Sequence, residues 1–486
     1  MSIRLPTSRL TSVLLSVCIL FFVLLSLSLW TPAQHGSAVL VPEDAPRPDE
    51  VSPAVRLKQA QAEAIIKKAK EVAESPIVSP YKDKFGTLGQ LTSTWIEFLD
   101  DVPASEDKHV LHEAIEGAIA TLYPYLLHSP KHPGSTTPFA DLRASFEPGS
   151  RAFVIPTGKS TMRWAAHLIT ALQDVLETRL PIIIVYAGEL DFPIGDRQIL
   201  QSHFENIEFM DMINVVDDST LKLGTGGWAI KAFAALYAPY EQVIVADADC
   251  VFVQPPEVLF DDPAYTETGA LLFHDRLLRQ HSHQDRHDWW KSQIQQPSPA
   301  LNKSLVWNDD WSEEGDSGVV VLDKSRLDVL TGLLHVAWQN SKAVREEVSY
   351  RKTYGDKETW WFGLELSGSK YAFEEHYGGM VGWPHAEQPK NKDEDKICSF
   401  YIAHVDARDE LLWYKGGLLK FKRGDQKEFG LPTHLMVDGT WHKDGSVEEE
   451  SCMDHASATE LSDETIGILE MIIAAAKEVD IDLGLV

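Results

Sequence analysis

Apolar positions along this chain change their spacing several times, and each change marks an element. Residues 10–30 run without a charge and are rich in Leu, Val, Ile and Phe. A stretch of that length can cross a bilayer as one helix. Between 57 and 73, Leu57, Ala60, Ala64, Ile65, Ala69 and Val72 recur at helical spacing against Lys, Gln and Glu. Residues 110–127 repeat the pattern through Leu111, Ala114, Ile115, Ala118, Ile119 and Leu122. Such stripes predict helices that pack on a neighbouring domain. Beyond residue 150 the pattern becomes short apolar runs alternating with amphipathic stretches. RAFVIP (151–156) predicts a strand ending in Thr157-Gly158, and 161–180 a helix with Trp164, Leu168, Leu172 and Val175 on one face. PIIIVYA (181–187) predicts a central strand, 210–216 a weaker strand and 228–236 a helix. YEQVIVADADCVFVQ (240–254) follows as a buried strand, a polar break and a second apolar run. Alternation of this kind predicts an α/β sheet with ligands at the strand carboxyl ends.

Between these elements lie segments that cannot bury a core. Residues 35–55 carry Pro42, Pro46, Pro48 and Pro53 and read as an extended stem, 129–150 as a linker, and 447–464 as an acidic solvated stretch. Residues 465–477 predict one more helix, packed back on the domain. Arg4 and Arg9 precede the first apolar run, whereas Glu43 and Asp44 are the first charges after it. The bias places the N-terminus in the cytosol and the bulk of the chain in a lumen; a signal peptide cleaved after about Ala33 is the alternative. The expected organisation is a tail over 1–9, an anchor over 10–30, a Pro-rich stem with helical segments over 31–149, a catalytic domain over 150–440, and an acidic segment with a helix over 441–486. The 486 residues are 44% hydrophobic and include 14 Trp, enough for a sizeable core, and the formal charge of -29 argues against nucleic acid as a partner. Four cysteines are too few for a disulfide scaffold; Cys398 and Cys452 form a candidate pair that the sequence leaves open.

Candidate chemistry centres on Asp247-Ala248-Asp249. Two carboxylates at the end of a buried strand are costly unless their charge is compensated. A hard divalent cation would do this and also bridge to phosphate; two solvated acids at a strand end is the plainer reading. No Gly-x-Gly-x-x-Gly follows the first strand and no Gly-x-x-x-x-Gly-Lys-Ser/Thr occurs, which demotes dehydrogenase and P-loop chemistry. A nucleotide-handling sheet with a strand-terminal Asp-x-Asp suggests a sugar-nucleotide-dependent transferase. GALLFHDR (269–276) predicts another strand, and in DSGVVVLDK (316–324) Asp316 could hold sugar hydroxyls at the entry to a strand. YGDKETWWFG (354–363) sets Asp356, Lys357 and Glu358 beside Trp360 and Trp361. This is either a sugar subsite or a helix N-terminus with an aromatic core face. In YIAHVDARDELLWYKGGLLKFK (401–422), His404 ends a short strand, and Lys415-Gly416-Gly417 with Lys420 could face a diphosphate. His281, His283 and His287 fit no zinc spacing and read as a solvated loop, and Asn302-Lys303-Ser304 is a glycosylation sequon.

Taken in order, YEQVIVADADCVFVQPPEVLF, GALLFHDR, DSGVVVLDK, YGDKETWWFGLEL and IAHVDARDELLWYKGGLLK resemble the fungal α-1,3-mannosyltransferase family, type II Golgi membrane proteins that extend mannans. The resemblance covers about residues 150–425. It implies a glycosyltransferase-A fold, GDP-mannose as donor, Mn²⁺ as cation and retention of anomeric configuration. It also implies a mannosylated glycan or glycoprotein acceptor and association with other Golgi mannosyltransferases. On this chain His404 would join Asp247 and Asp249 on the metal. Thr157, Gly158, Lys231, Asp247, Gly417 and Lys420 would bind donor, and Asp316, Asp356 and Glu358 would position hydroxyls. UDP-sugar transferases share the fold and the metal motif. An inactive membrane-anchored glycan-binding protein and a metal-dependent sugar-nucleotide hydrolase are the alternatives from other classes.

Overall fold

The most apolar runs form the middle of a sheet, because a strand covered on both faces must be apolar throughout. In chain order the strands are β1 Glu147–Pro156, β2 Ile182–Tyr186, β3 Ile207–Asp211, β4 Tyr240–Ala246, β5 Cys250–Phe252, β6 Ala270–His274, β7 Gly315–Asp323 and β8 Ala372–Phe373. Seven of them form one sheet in the order β3-β2-β1-β4-β7-β6-β8. β1 is parallel to both β2 and β4, with Val154 opposite Ile183 on one side and Val245 on the other, and β7 returns antiparallel to β4. The second sheet is built from β9 Gly379–Pro384, β10 Asp395–Val405, β11 Leu411–Lys415, β12 His434–Met436, β13 Thr440–His442, β14 Ser451–Ala456 and β15 Thr459–Glu460. Its order is β13-β14-β10-β9-β12-β15, and β11 pairs with β10 and with β5. The chain therefore crosses from the first sheet to the second within three residues, 247–249, between β4 and β5. Cys398 and Cys452, opposite one another on β10 and β14, form a disulfide.

This computed structural model describes residues 53–101, 106–127, 129–131, 133–389, 394–420, 427–443 and 451–485. The expected tail, anchor and most of the Pro-rich stem lie outside them, and no helix among the described residues is long and apolar enough to cross a membrane. The chain divides between Leu57 and Lys58, and everything considered below belongs to the Lys58–Val486 unit.

The helices include α1 Pro53–Ala73, α2 Phe85–Asp101, α3 Glu106–Leu122, α4 Met162–Thr170, α5 Ile230–Tyr237 and, at the C-terminal end, α6 Asp463–Asp482; others, Leu327–Gln339 among them, connect the strands. The expected boundary at residue 150 does not hold as a break in packing. Residues of α1, α2 and α3 share one apolar core with α5 and β4. Phe85 is the anchor: its ring lies edge-on to Trp289 at 5.0 Å and to Trp338 at 4.8 Å, while its carbonyl accepts from His335 Nε2 at 2.9 Å. Other expectations shift similarly. Met212–Asn214 is a short 3₁₀ turn where a strand was expected, with β3 lying just before it. His281 and His283 lie in an exposed to half-buried turn, as expected, but His287 does not: Gln284–Gln293 is a helix and His287 is fully buried on it, its Nε2 donating to Trp311 O at 2.9 Å and its ring edge-on to Trp290. Trp289 and Trp290 supply the apolar face that a reading of the histidines alone overlooks.

α6 packs on α4 through a buried cluster. Asp480 accepts from Arg163 Nε at 2.9 Å and Nη2 at 2.6 Å, and pairs with His167 Nε2 at 2.8 Å. Burial alone would push the Asp480 carboxyl up, but His167 and Arg163 outweigh it and hold it below the usual range. Removing one partner of a buried pair leaves the others uncompensated. Asp480→Asn should therefore cost about 3–5 kcal/mol in urea unfolding at neutral pH. Because the carboxyl is depressed, its contribution is present above its unfolded value of about 3.9 and is lost as pH falls through the lower folded value. The variant should show a flatter acid limb in the same measurement.

Candidate active site

The crossing between the sheets sits over a cavity of about 730 Å³. β4 delivers Asp247 to its wall, and the turn closes when Cys250 N donates to Asp247 O at 3.1 Å and Asp247 N donates to Gly318 O at 2.8 Å. β5 then pairs with β11, with Cys250 opposite Lys415. That register brings the Lys415 ammonium back over the motif, 2.7 Å from Asp247 Oδ2. From the other side Lys231, on α5, reaches Asp247 Oδ1 at 2.9 Å. One carboxylate thus sits between two ammonium groups.

Each ammonium has a second acid. Lys231 Nζ is 3.0 Å from Asp356 Oδ2 and also donates to Ser317 O and Oγ at 2.7 and 2.9 Å. Lys415 Nζ is 3.5 Å from Asp316 Oδ1, whose other oxygen lies 3.3 Å from His404 Nε2. Burial would push the Asp247 carboxyl up, yet Lys231 and Lys415 hold it below the ordinary range. The same contest holds Asp316 well below, through Lys415 and His404. Burial would lower both lysines, but Asp247 and Asp356 keep Lys231 raised, and Asp247 and Asp316 keep Lys415 well raised. Asp247, Asp316, Lys231 and Lys415 are therefore charged at neutral pH.

Of the residues expected from sequence, Thr157, Gly158, Lys231, Asp247, Asp249 and Asp356 line the cavity. Thr157 Oγ1 lies 2.6 Å from Thr161 Oγ1, which also accepts from Gly158 N at 3.1 Å, so this loop is tied to the start of α4. Lys415, expected to face a diphosphate, lines it too, and four further lining residues carry chemistry that sequence reading did not assign: Trp228, Arg276, Tyr354 and Lys357. Four cations, Lys231, Arg276, Lys357 and Lys415, face four acids, Asp191, Asp247, Asp249 and Asp356. On a chain of net charge -29, a lining with as many cations as acids stands apart from the average composition. Trp228 and Tyr354 are half-exposed and exposed at the rim, with ring centroids 5.2 Å apart. Gly355 makes this pair possible: it adopts φ +68, and a Cβ there would lie 2.8 Å from the Trp228 ring.

The chain is similar to known proteins. The Mannosyl_trans3 family of mannosyltransferases matches residues 151–406. The chain belongs to that family. It is 29% identical over 260 residues to the α-1,3-mannosyltransferase MNT3 of Saccharomyces cerevisiae, covering 46% of this chain and 40% of that protein. It is 23% identical over 319 residues to MNN1 of the same yeast, also named an α-1,3-mannosyltransferase, covering 55% of this chain and 40% of that protein. The chain thus spans less than half the length of these relatives. Among solved structures it aligns with the galactosyltransferase LgtC at a TM-score of 0.31 and 12% identity, covering 46% of this chain and 72% of that one. It aligns with mouse xyloside xylosyltransferase 1 at 0.31 and 12%, covering 47% and 85%. Overlaps that loose carry no argument about the site.

Within this mannosyltransferase-family chain, several expected placements are corrected. His404 is buried against Trp413, stacked at 4.2 Å, and faces Asp316. Among the described residues, Asp247, Asp249 and His404 do not bring one ligand atom each within 4.8 Å of one another. Asp247 and Asp249 together still offer carboxylate oxygens on the cavity wall, a donor set that fits a hard divalent cation without the histidine. Asp316 lies one layer behind the cavity, where its Oδ1 accepts from Gly318 N at 2.9 Å. Gly417 serves the motif by backbone: its N–H and that of Gly416 donate to Asp249 O at 2.8 and 3.1 Å. Lys420 does not line the cavity and pairs with Glu428 at 3.0 Å. Trp360 and Trp361 are core residues, with indole N–H groups on Asp356 and Glu358 at 2.8 and 2.6 Å. Asn302 is exposed, its side-chain amide donating to Pro297 O at 3.1 Å.

Glu358 turns inward as well. Its Oε1 accepts from Glu314 N at 3.0 Å and Gly315 N at 3.3 Å, so it ties the start of α-helical residues 359–366 to β7. Burial pushes this carboxyl up to about 8. A raised acid binds a proton in the folded state that the unfolded chain releases, so stability falls as pH rises from about 4.3 to its folded value. Glu358→Gln should flatten that part of the profile, as measured by thermal melts at pH 5 and pH 8.

Proposed function

We propose that the chain transfers mannose from GDP-mannose to a mannose-containing glycan, forming an α-1,3 linkage with retention, on a glycosyltransferase-A type of architecture. The observation that carries the reading is Asp247-Ala248-Asp249 at the carboxyl end of β4, on a cavity wall shared with Lys231 and Lys415. A diphosphate brings negative charge that grows on the leaving oxygen during transfer, and the two ammonium groups are already in place to meet it. Asp247 and Asp249 would hold a divalent cation such as Mn²⁺, which supplies further charge neutralisation when bound. Asp356, anchored by Trp360 and Lys231, stands where it can accept from a sugar hydroxyl. Lys357 is held by the buried Asp275, which also meets Arg276 at 3.4 Å, so its ammonium is fixed at the cavity wall. In a retaining transfer without a protein nucleophile, the acceptor hydroxyl attacks from the face the phosphate leaves, and the phosphate takes the proton. Trp228 and Tyr354 offer ring faces to the apolar C–H surface of an acceptor sugar.

Family membership supports mannose as the transferred sugar. The Cys398–Cys452 disulfide supports an oxidising compartment, consistent with a Golgi lumen and with residues 10–30 as a single-pass anchor. The exposed Asn302 suits a luminal glycan.

The test is a donor screen, GDP-mannose against UDP-sugars, with Mn²⁺ and manno-oligosaccharide acceptors, followed by linkage analysis. Transfer from GDP-mannose into an α-1,3 product is expected. Transfer from a UDP-sugar alone would overturn the donor, free mannose without extension would indicate a hydrolase, and binding without turnover a glycan-binding protein. Asp249→Ala and chelation of the cation should each abolish turnover while the melting temperature of the apo protein is kept. Lys415→Met should lower kcat by about 10²–10³-fold. Trp228→Ala should raise the acceptor KM about 2- to 10-fold and leave the donor KM unchanged, a split that steady-state kinetics reads directly.

A further inference from the structure

Away from the cleft, the second sheet gathers three metal-ligating side chains that the transfer reaction does not use. His442 ends β13, and Asp454 and His455 are neighbours in β14. The register sets His442 opposite Cys452 and Thr440 opposite Asp454, which makes His442 and Asp454 diagonal neighbours on one face. In a regular strand His455 would point to the opposite face. Here β14 spends three steps from Met453 to Ala456 while β10 spends two from Asp395 to Ile397. The extra residue is a bulge, and His455 sits in it at φ +62, a left-handed conformation that a histidine seldom adopts. The bulge re-aims His455 toward Asp454. As a result one ligand atom from each of the three lies within 4.8 Å of the others. His442 Nε2 is 2.7 Å from Asp454 Oδ1, and His455 Nε2 is 3.4 Å from the same oxygen.

The second nitrogen of His455 adds an independent observation. Its Nδ1 lies 3.1 Å from Glu394 Oε2. A carboxylate accepts there, so Nδ1 carries a hydrogen and Nε2 is the nitrogen turned toward Asp454. A carboxylate on the outer nitrogen of a histidine is also the support that orients metal-bound imidazoles.

We propose that His442, Asp454 and His455 bind a divalent transition-metal ion of the zinc class, with Glu394 as the positioning residue for His455. Two imidazoles and one carboxylate favour zinc over magnesium or calcium, which prefer oxygen ligands throughout. Three protein ligands leave a fourth tetrahedral position for water. The ion would join β13 to β14 beside the disulfide, since His442 lies opposite Cys452. Its role is to hold this corner of the sheet, and it is independent of the cation at Asp247 and Asp249.

The experiment is a calorimetric titration of the chelator-stripped full chain with Zn²⁺, with Co²⁺ absorption in the visible as a second readout of a four-coordinate site. One equivalent bound, a cobalt spectrum of tetrahedral intensity and a melting temperature that rises with zinc are expected. His442→Ala with His455→Ala should remove that equivalent and the zinc-dependent melting shift, Asp249→Ala should retain both, and mannosyl transfer should be unchanged in the double variant. Glu394→Gln should weaken zinc about 10- to 100-fold. Should the double variant fail to fold, His455→Gln alone must show the weakened zinc affinity. Equal zinc affinity in wild type and variants, loss of the site in Asp249→Ala alone, or no zinc-dependent shift in the wild type would each overturn the proposal.

Discussion

The Asp247 carboxylate, clamped between the ammonium groups of Lys231 and Lys415, is the contact on which the rest of the site depends. A lone acid at the end of a buried strand would be driven toward its neutral form. Here the two lysines come from different places: Lys231 from the helix that enters β4, and Lys415 from β11 of the other sheet. The clamp therefore exists only because the chain leaves β4, makes its three-residue polar turn, and lays β5 against β11 with Cys250 opposite Lys415. One ion triplet joins the two sheets.

From that triplet a line of alternating charge extends both ways, Asp356, Lys231, Asp247, Lys415, Asp316 and His404. Buried ion pairs are weak arguments for stability, because desolvation offsets much of their attraction. Their value here is geometric. Every long side chain in the line has a partner on each side, so the cationic groups are oriented before a ligand arrives, and the cost of arranging them is met during folding. The same logic explains why Asp316 and His404 matter without touching the cavity: they anchor Lys415 from behind. Glu358 plays a comparable part for β7 and the Trp361 helix. Several acids read from sequence as binding groups are thus supports for the residues that do face the cavity.

Much of the fold was legible in the chain itself. Continuous apolar runs marked β1, β2, β4 and β7 because strands covered on both faces bury successive side chains alike, and the polar break at 247–249 marked the site because burying two carboxylates without a reason is costly. The helices of 57–73 and 110–127 were equally plain in their stripes, although the second ends at Leu122. What the stripes could not show was their partner, and it was packing around Phe85, Trp289 and Trp338 that joined them to the main core.

Residue type and order by themselves determined the α/β class, the acidic motif at a strand end, the lysine before it and the family to which the chain belongs. Only the tertiary structure decided which way each polar side chain points. Lys415 and Lys420 stand five residues apart in one basic stretch, yet register sends the first to Asp247 and leaves the second on Glu428. Asp356, Lys357 and Glu358 are consecutive, yet the turn into the next helix aims the first two at the cavity and the third into the core. The physical reason is that strand register and helix phase assign faces one residue at a time, and both are set by pairing with segments that lie 86 to 165 positions away in the chain.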